Sequence, residues 1–450
     1  MTSMFRSLAT YNYRVWFLGA LVSNVGGWMQ ATAQDWVVLT ELTNNDATAM
    51  GVTMALQFGP PLVLVSVAGW VADRFDRRNV LLVTQSVLLL LALGVATLLL
   101  TGVMTLPIMF CFAAAFGVTN AFDAPARQAF VSDMVTREET PNAVALNSAS
   151  FNMARLIGPA VGGILIVLVG TGWVFVINAA TFLAMMLALI MIRRELLMPR
   201  VRGPQTGGLA RGFRYVAGRG DIVTVFVMVF LIGAFGMNFP IYASTMALEF
   251  GRTADGYGLL SSVLAIGSLA GALLAARRTQ ARMRVIILAV GGFGASALLA
   301  SAMPTYTTFA ISLIALGFAV VTMLTTANAY VQTTTDPALR GRVLALYMAV
   351  IMGSTPVGAP IAGWIVDAIS PRAALVFGGI MGLVAFAIGA IWTLRTGRVH
   401  RHPDSRFRLT LDQTLPISVI EELEVNRLPE VTTITTPIRL PGRESESTQQ

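Results

Sequence analysis

Lysine is missing from this chain of 450 residues; every one of its 31 Lys-plus-Arg positions is arginine. Without lysine no G-x-x-x-x-G-K-[ST] loop can form, which excludes an ATP-hydrolysing P-loop. There is one cysteine, Cys111, set within an apolar stretch, so an intrachain disulfide is excluded. The two histidines, His400 and His402, fall near the C-terminus, which leaves the apolar body without an imidazole. A His-based triad or a His-rich metal site is therefore excluded there, and neither a metal nor a cofactor is expected. Charge of either sign is scarce, at 12% of residues, where soluble domains carry about 25%. With 55% hydrophobic residues, so little charge points to a polytopic membrane protein whose side chains are solvated mostly by lipid. The formal net charge of +8 does not signal nucleic acid, because the arginines cluster in short loops and build no long basic face for phosphates to follow. Arginine without lysine, beside abundant alanine and glycine, is read as the imprint of a GC-rich bacterial genome.

A spanning helix needs about 20 apolar residues. Such runs fall near 14–38, 50–72, 79–101, 104–122, 143–169, 173–192, 221–247, 256–276, 283–302, 305–328, 341–367 and 373–394, which makes twelve. The first follows a polar, basic start without a small-residue cleavage site, and is read as a retained helix rather than a signal peptide. Arginines alternate between connections. Arg74, Arg77, Arg78, Arg127, Arg137, Arg193 to Arg219, Arg277 to Arg284, Arg340 and Arg342 share one side, and only Arg252 and Arg372 mark the other. The positive-inside rule puts the first side, and with it both termini, in the cytoplasm. The expected organisation is a six-helix bundle over 1–192, a cytoplasmic loop over 193–220, a second six-helix bundle over 221–394 and a polar, largely disordered cytoplasmic tail over 395–450. In the tail, Phe407, Leu409 and Leu411 alternate with polar residues and are a candidate short strand. Gly158-Pro159-Ala160-Val161-Gly162-Gly163 is echoed by Gly358-Ala359-Pro360-Ile361-Ala362-Gly363, and the residues before Arg277 and Arg278 echo those after the second run. Both echoes keep direction and side, as a parallel duplication would.

Between the second and third runs lies Gly69-Trp70-Val71-Ala72-Asp73-Arg74-Phe75-Asp76-Arg77-Arg78. Gly69 permits close backbone approach, Asp73 can cap a neighbouring helix, and Arg74, Arg77 and Arg78 can pair with carboxylates or lipid phosphates. The stretch is either a latch holding the cytoplasmic side closed or a plain positive-inside anchor. Its pattern, G-x-x-A-D-R-x-D-R-R, resembles the helix 2–3 signature of the major facilitator superfamily, in the form with Asp76 found in a branch of small-molecule efflux proteins that includes enterobactin exporters. The fifth run holds Ala154 to Gly163 and resembles that superfamily's antiporter motif, G-x-x-x-G-P-x-x-G-G, with Ala154 at its first glycine and Gly158, Pro159, Gly162 and Gly163 in place. On residues alone it is a close-packing seam; the resemblance implies export. Asp123 to Ala129 and Arg340 to Tyr347 resemble the same branch, whereas the fourth run, ended at 122, has no internal arginine to match the family's helix 4 motif. The resemblance covers about 10–395. It implies an all-α fold of twelve transmembrane helices in two pseudo-symmetric bundles, working by alternating access as a monomer with protons and lipid as partners, in a bacterial cytoplasmic membrane. Export of an amphiphilic drug, siderophore or lipophilic metabolite is the expected activity. The competing readings are an uptake permease, a lipid flippase and, least of all, a membrane enzyme, for which no catalytic cluster is present.

Arg155 lies about 18 Å into the fifth run at 1.5 Å per residue, near mid-bilayer, where a charge needs a cavity or a partner. It is a candidate for the substrate cavity, with an ion pair to Asp123 as the alternative. Asp35, near the outer end of the first run, is the candidate proton carrier, unless it is merely wetted at the mouth. Asp123 and Asp133 are expected to face the cytoplasm and Asp367 the outside, without proton transfer. Asn24, Gln30, Gln34, Gln57, Asn238 and Asn328, with Gln332, are candidates to line the pathway. Trp28, Trp36, Phe58, Phe235 and Phe239 offer stacking surfaces, or face lipid.

Overall fold

The computed structural model describes residues 3–198, 209–278, 280–396, 399–401 and 409–411. The first six long helices are α1 (Tyr11–Trp36), α2 (Ala47–Arg74), α3 (Arg77–Leu100), α4 (Leu106–Asp133), α5 (Thr140–Val169) and α6 (Thr171–Met191). A short helix, α7 (Leu209–Ala217), precedes α8 (Gly220–Leu231) and α9 (Phe239–Glu249), which a π-helical turn at Ile232–Gly236 leads into one another. Then come α10 (Ala254–Ala276), α11 (Met283–Ser301), α12 (Tyr306–Thr334), α13 (Arg340–Ala368) and α14 (Pro371–Arg395). Among the described residues, eleven helical segments are long and apolar enough to cross a membrane, with α8 and α9 forming one of them, Gly220–Glu249. The twelfth expected span, α1, is 26 residues long. It is absent from that set because Asn24, Gln30, Thr32, Gln34 and Asp35 dilute its apolar character, and it packs along α5 and α6.

Local chemistry sets the helix ends. Asp46 accepts from Ala49 N at the start of α2, and Asp76 accepts from Asn79 N at the start of α3. Thr305 and Thr308 form a reciprocal capping box on α12. Pro107, Pro141, Pro240 and Pro371 occupy first-turn positions, where a missing N–H costs nothing. Gly170, at φ 87°, reverses the chain between α5 and α6 in a single residue.

The duplication is legible in the element starts. Helices α4, α5 and α6 begin at 106, 140 and 171, and α12, α13 and α14 at 306, 340 and 371, each 200 residues later. The start of α10 lies 207 residues after that of α2. Within the first bundle α2 packs on α4; within the second α10 packs on α12. A Cβ on Gly117 would strike the Gln57 carbonyl, and one on Gly317 would strike the Leu264 carbonyl, the same contact made twice. Gly117→Val is therefore expected to lower the folded yield and the unfolding temperature in detergent, because overpacking typically costs about 1–3 kcal/mol. An unchanged melting profile would contradict this packing.

One expectation is corrected here. Helix α4 does not stop at 122 but continues to Asp133, so Asp123 and Arg127 lie inside it. Asp123 is buried between helices rather than placed in a connection, and Asp133, at the end of α4, is buried as well. Arg127 and Asp123, one turn apart, form an ion pair, which neutralises the charge that would otherwise end the apolar run.

The chain from 397 forms a separate unit. Its described part is an antiparallel pair, β1 (Val399–Arg401) with β2 (Leu409–Leu411), in which Val399 faces Leu411. The expected strand thus covers Leu409 and Leu411, while Phe407 and the remainder of the tail lie outside the described residues.

Candidate transport pathway and the seams that close it

Two helix pairs join the bundles, α2 with α13 and α5 with α10. Glycines let each pair touch backbone to backbone. A Cβ on Gly51 would strike the Ala359 carbonyl, and one on Gly363 the Ala47 carbonyl. In the other seam a Cβ on Gly163 would strike the Ala254 carbonyl, and one on Gly258 the Pro159 carbonyl. Positions 159 and 163 recur at 359 and 363, and positions 47 and 51 recur at 254 and 258, so one contact is built twice. Both seams lie at the helix ends remote from the arginine-rich connections. The α5 motif divides its work: Gly158 and Gly162 press on Trp28 and Met29 of α1, whereas Pro159 and Gly163 face α10.

Polar bonds reinforce the seams unequally. Asp367, at the end of α13, accepts from Ala47 N (2.9 Å), Thr48 N (2.7 Å) and Thr48 Oγ1 (2.5 Å). A carboxylate thus sits on the positive end of α2. Residue 167, the position 200 earlier, is Val167, so the other seam has no such clasp. There, Ser262 Oγ donates to the Leu156 carbonyl at 2.7 Å, and the Tyr257 hydroxyl donates to Asp35 Oδ2 at 2.8 Å. Trp36 stacks on Tyr257 with ring centroids 6.4 Å apart. Asp35 is buried, not wetted, and its partner comes from the opposite bundle.

The other sequence candidates separate into groups. Gln34 Nε2 donates to Gln57 Oε1 at 2.9 Å, linking α1 to α2. Gln30 is buried and accepts from Asn178 of α6, and Asn238 is buried and donates to the Ala234 carbonyl at the start of α9. Asn328 accepts from Gln332 near the end of α12. Asn24 and Arg155 are half-buried, and Arg155 lies over Trp28 at 5.6 Å from the ring centroid. The alternative pair of Arg155 with Asp123 is not formed. Asp123 accepts from Thr84, Gln85 and Arg127, and Arg127 also reaches Ser23. Of the aromatic candidates, Phe235 packs edge-on against Phe377, Phe239 is buried and Phe58 is exposed.

Arg77 and Arg78 of the Gly69–Arg78 turn bond within their own bundle. Arg77 Nη1 donates to the Ala129 carbonyl (3.0 Å) and to Asp133 (2.6 Å), and Arg78 donates to the Leu189 and Ile190 carbonyls of α6. Arg74 lies over Trp70. The cap on α3 is Asp76, which sits immediately before the first turn. The expected close approach at Gly69 is not made in this conformation, since a Cβ there would meet nothing within 4 Å.

Tyr257, Asp367, Gly51 and Gly258 were not singled out as site residues by the sequence. The signal was present in the paired spacings, but it needed both helices of each seam to be known. On the described residues no group of three or more His, Cys, Asp or Glu is arranged to hold a metal.

Twelve spans in two related bundles, closed against each other at one face, define a multi-pass membrane transporter of the major facilitator fold. The profile of the transmembrane secretion effectors matches residues 2–419, and the chain belongs to that family of the major facilitator superfamily. It is 26% identical over 419 residues to the enterobactin exporter EntS of Salmonella choleraesuis (strain SC-B67), covering 90% of this chain and 95% of the relative. It is 26% identical over 371 residues to the multidrug efflux pump Tap of Mycolicibacterium fortuitum, covering 78% and 88%. Among solved structures, a bacterial homologue of the human lysosomal transporter Spinster superposes with a TM-score of 0.66 at 13% identity, over 85% of this chain and 97% of the other. That likeness concerns the fold alone.

Proposed function

We propose that this transporter exports small amphiphilic organic molecules from the cytoplasm of a bacterium across its inner membrane, in exchange for protons. The observation that carries the reading is the closed double seam at the face remote from the arginine-rich connections. The positive-inside rule assigns those connections, and both termini, to the cytoplasm, so the closed face is the outer one. In the proposed cycle cargo enters from the cytoplasmic side in this state, and parting of the seams releases it outside. The relatives named as an enterobactin exporter and a multidrug efflux pump support this direction. Asn24, Gln30, Gln34, Gln57, Arg155, Asn238 and Asn328 form the polar part of the pathway. Asp35 is the proton carrier, placed where its protonation bears on the Tyr257 contact across the seam. The Gly69–Arg78 turn is the latch for the opposite state, in which the open space beside Gly69 is filled by the other bundle.

The test is accumulation of a catechol-type siderophore, lipophilic cationic dyes and macrolides in cells with and without the protein, each with and without a protonophore. Lower accumulation that the protonophore abolishes is the expected result. Higher accumulation on expression would reverse the direction, and no change for any compound despite confirmed insertion would favour movement of lipid.

A further inference from the structure

The buried acids inside the spans all have hydrogen-bond partners. Among the described residues the four buried acids are Asp35, Asp123, Asp133 and Asp221. Asp35 is bonded by Tyr257, Asp123 by Arg127, Asp133 by Arg77, and Asp221 by Arg219 and Tyr330. Arg155 stands apart from them. It stands midway along α5, fifteen residues from each end of Thr140–Val169 to within one residue, or about 22 Å along the axis. It is half-buried and makes neither a hydrogen bond nor an ion pair among the described residues. Its one recorded partner is the face of Trp28. An aromatic face offsets part of the cost of a desolvated cation but leaves the guanidinium N–H donors unused.

The surroundings are shaped for a ring that carries an oxyanion. Phe151, one turn before Arg155 on α5, meets Trp28 edge-on with centroids 5.8 Å apart. Asn24, one turn before Trp28 on α1, is half-buried and also makes no hydrogen bond among the described residues. Pro159, the seam residue that touches Gly258, is one turn further along α5. Two unused polar groups therefore lie within a turn of an aromatic pair, one turn along α5 from the seam residue Pro159.

We propose that Arg155, Trp28, Phe151 and Asn24 form a binding subsite for an aromatic anion, whose carboxylate or sulfonate is held by Arg155 and Asn24 while its ring lies against Trp28 and Phe151. This rests on the transport reading and deepens it by giving the sign of the cargo's charge. A planar guanidinium suits two oxygens of one anionic group. A cationic amphiphile would meet the same guanidinium with like charge, so the subsite selects against it.

The test uses three dansyl probes of similar shape: dansylglycine (anionic), dansylamide (neutral) and dansylcadaverine (cationic). Binding to the full-length purified protein is read from dansyl fluorescence. Dansylglycine is expected to bind about tenfold more tightly than dansylamide, the size of one charge-assisted hydrogen bond, and dansylcadaverine more weakly than either. Arg155→Gln is expected to erase the preference for dansylglycine over dansylamide, and Arg155→Lys to keep part of it. Equal affinity for the three probes, or no binding of dansylglycine, overturns the proposal without need of any variant. A preference that survives Arg155→Gln overturns it as well. In proteoliposomes, dansylglycine that binds through Arg155 but is not moved outward would retain the subsite and sink the export reading. Outward transport of dansylcadaverine, indifferent to Arg155→Gln, would do the reverse.

Discussion

Gly163→Val is expected to give a folded, inserted protein that fails to complete its transport cycle. The added Cβ meets the Ala254 carbonyl and the Cα of Asp255, both backbone atoms of the opposite bundle that have no rotamer to yield. The clash exists only while the seam is closed, so it destabilises this conformation and spares the one in which the seam has parted. Overpacking of about 1–3 kcal/mol shifts a two-state population by about 5- to 150-fold. Turnover is expected to fall at least about tenfold, with a cysteine placed at Thr48 becoming more reactive toward a thiol reagent once Cys111 has been removed. Gly363→Val should behave alike, because it opposes the Ala47 carbonyl in the second seam. Gly117→Val is the control, since its clash lies within one bundle and is present in every conformation. Wild-type turnover in Gly163→Val, or a loss of folded protein equal to that of Gly117→Val, would refute the assignment of the seam to a single state.

The second large effect concerns Asp35 and Tyr257, whose roles two conservative changes separate. Asp35→Asn keeps a carbonyl oxygen to accept the Tyr257 hydroxyl, so the bond across the seam can persist, but it removes the group that takes up a proton. Transport driven by a pH gradient is expected to fall at least about tenfold, while exchange of substrate down its own gradient continues. Tyr257→Phe does the opposite: it deletes the bond at 2.8 Å and leaves the carboxyl. A hydrogen bond to a charged group is worth about 1.5–3 kcal/mol, so this variant is expected to loosen the seam, read by the same thiol reactivity, while the response to pH remains. Both variants are to be compared in proteoliposomes with imposed pH gradients. An Asp35→Asn protein that responds fully to the gradient removes Asp35 from coupling.

The Arg155 site illustrates how far the sequence reaches. Its depth followed from helical rise alone, and the cost of a charge at that depth marked it before any neighbour was known. Its neighbour did not follow. Asp123 was the plausible carboxylate, and it is claimed instead by Arg127, four residues further along a helix that the hydropathy pattern ended too early. A window average registers charges as a stop; it does not see that two opposite charges one turn apart cancel. The Gly69–Arg78 turn shows a different limit. Its arginines were expected to pair with carboxylates or lipid phosphates, but which carboxylate and which carbonyls Arg77 and Arg78 meet on α4 and α6 could not be read from the chain.

The sequence by itself determined the multi-span helical character, the alternation of arginines between connections and the duplication, because each depends on composition and spacing along one chain. It also marked Pro159 and Gly163 as a close-packing segment, because small residues at helical spacing have few other uses in lipid. Only the tertiary structure decided what that segment touches, that Asp367 seats on the start of α2, and that Asp35 meets a tyrosine 222 residues away. Those partners are set by how two bundles lean together, and every such contact joins positions too distant in the chain for local pattern to relate them.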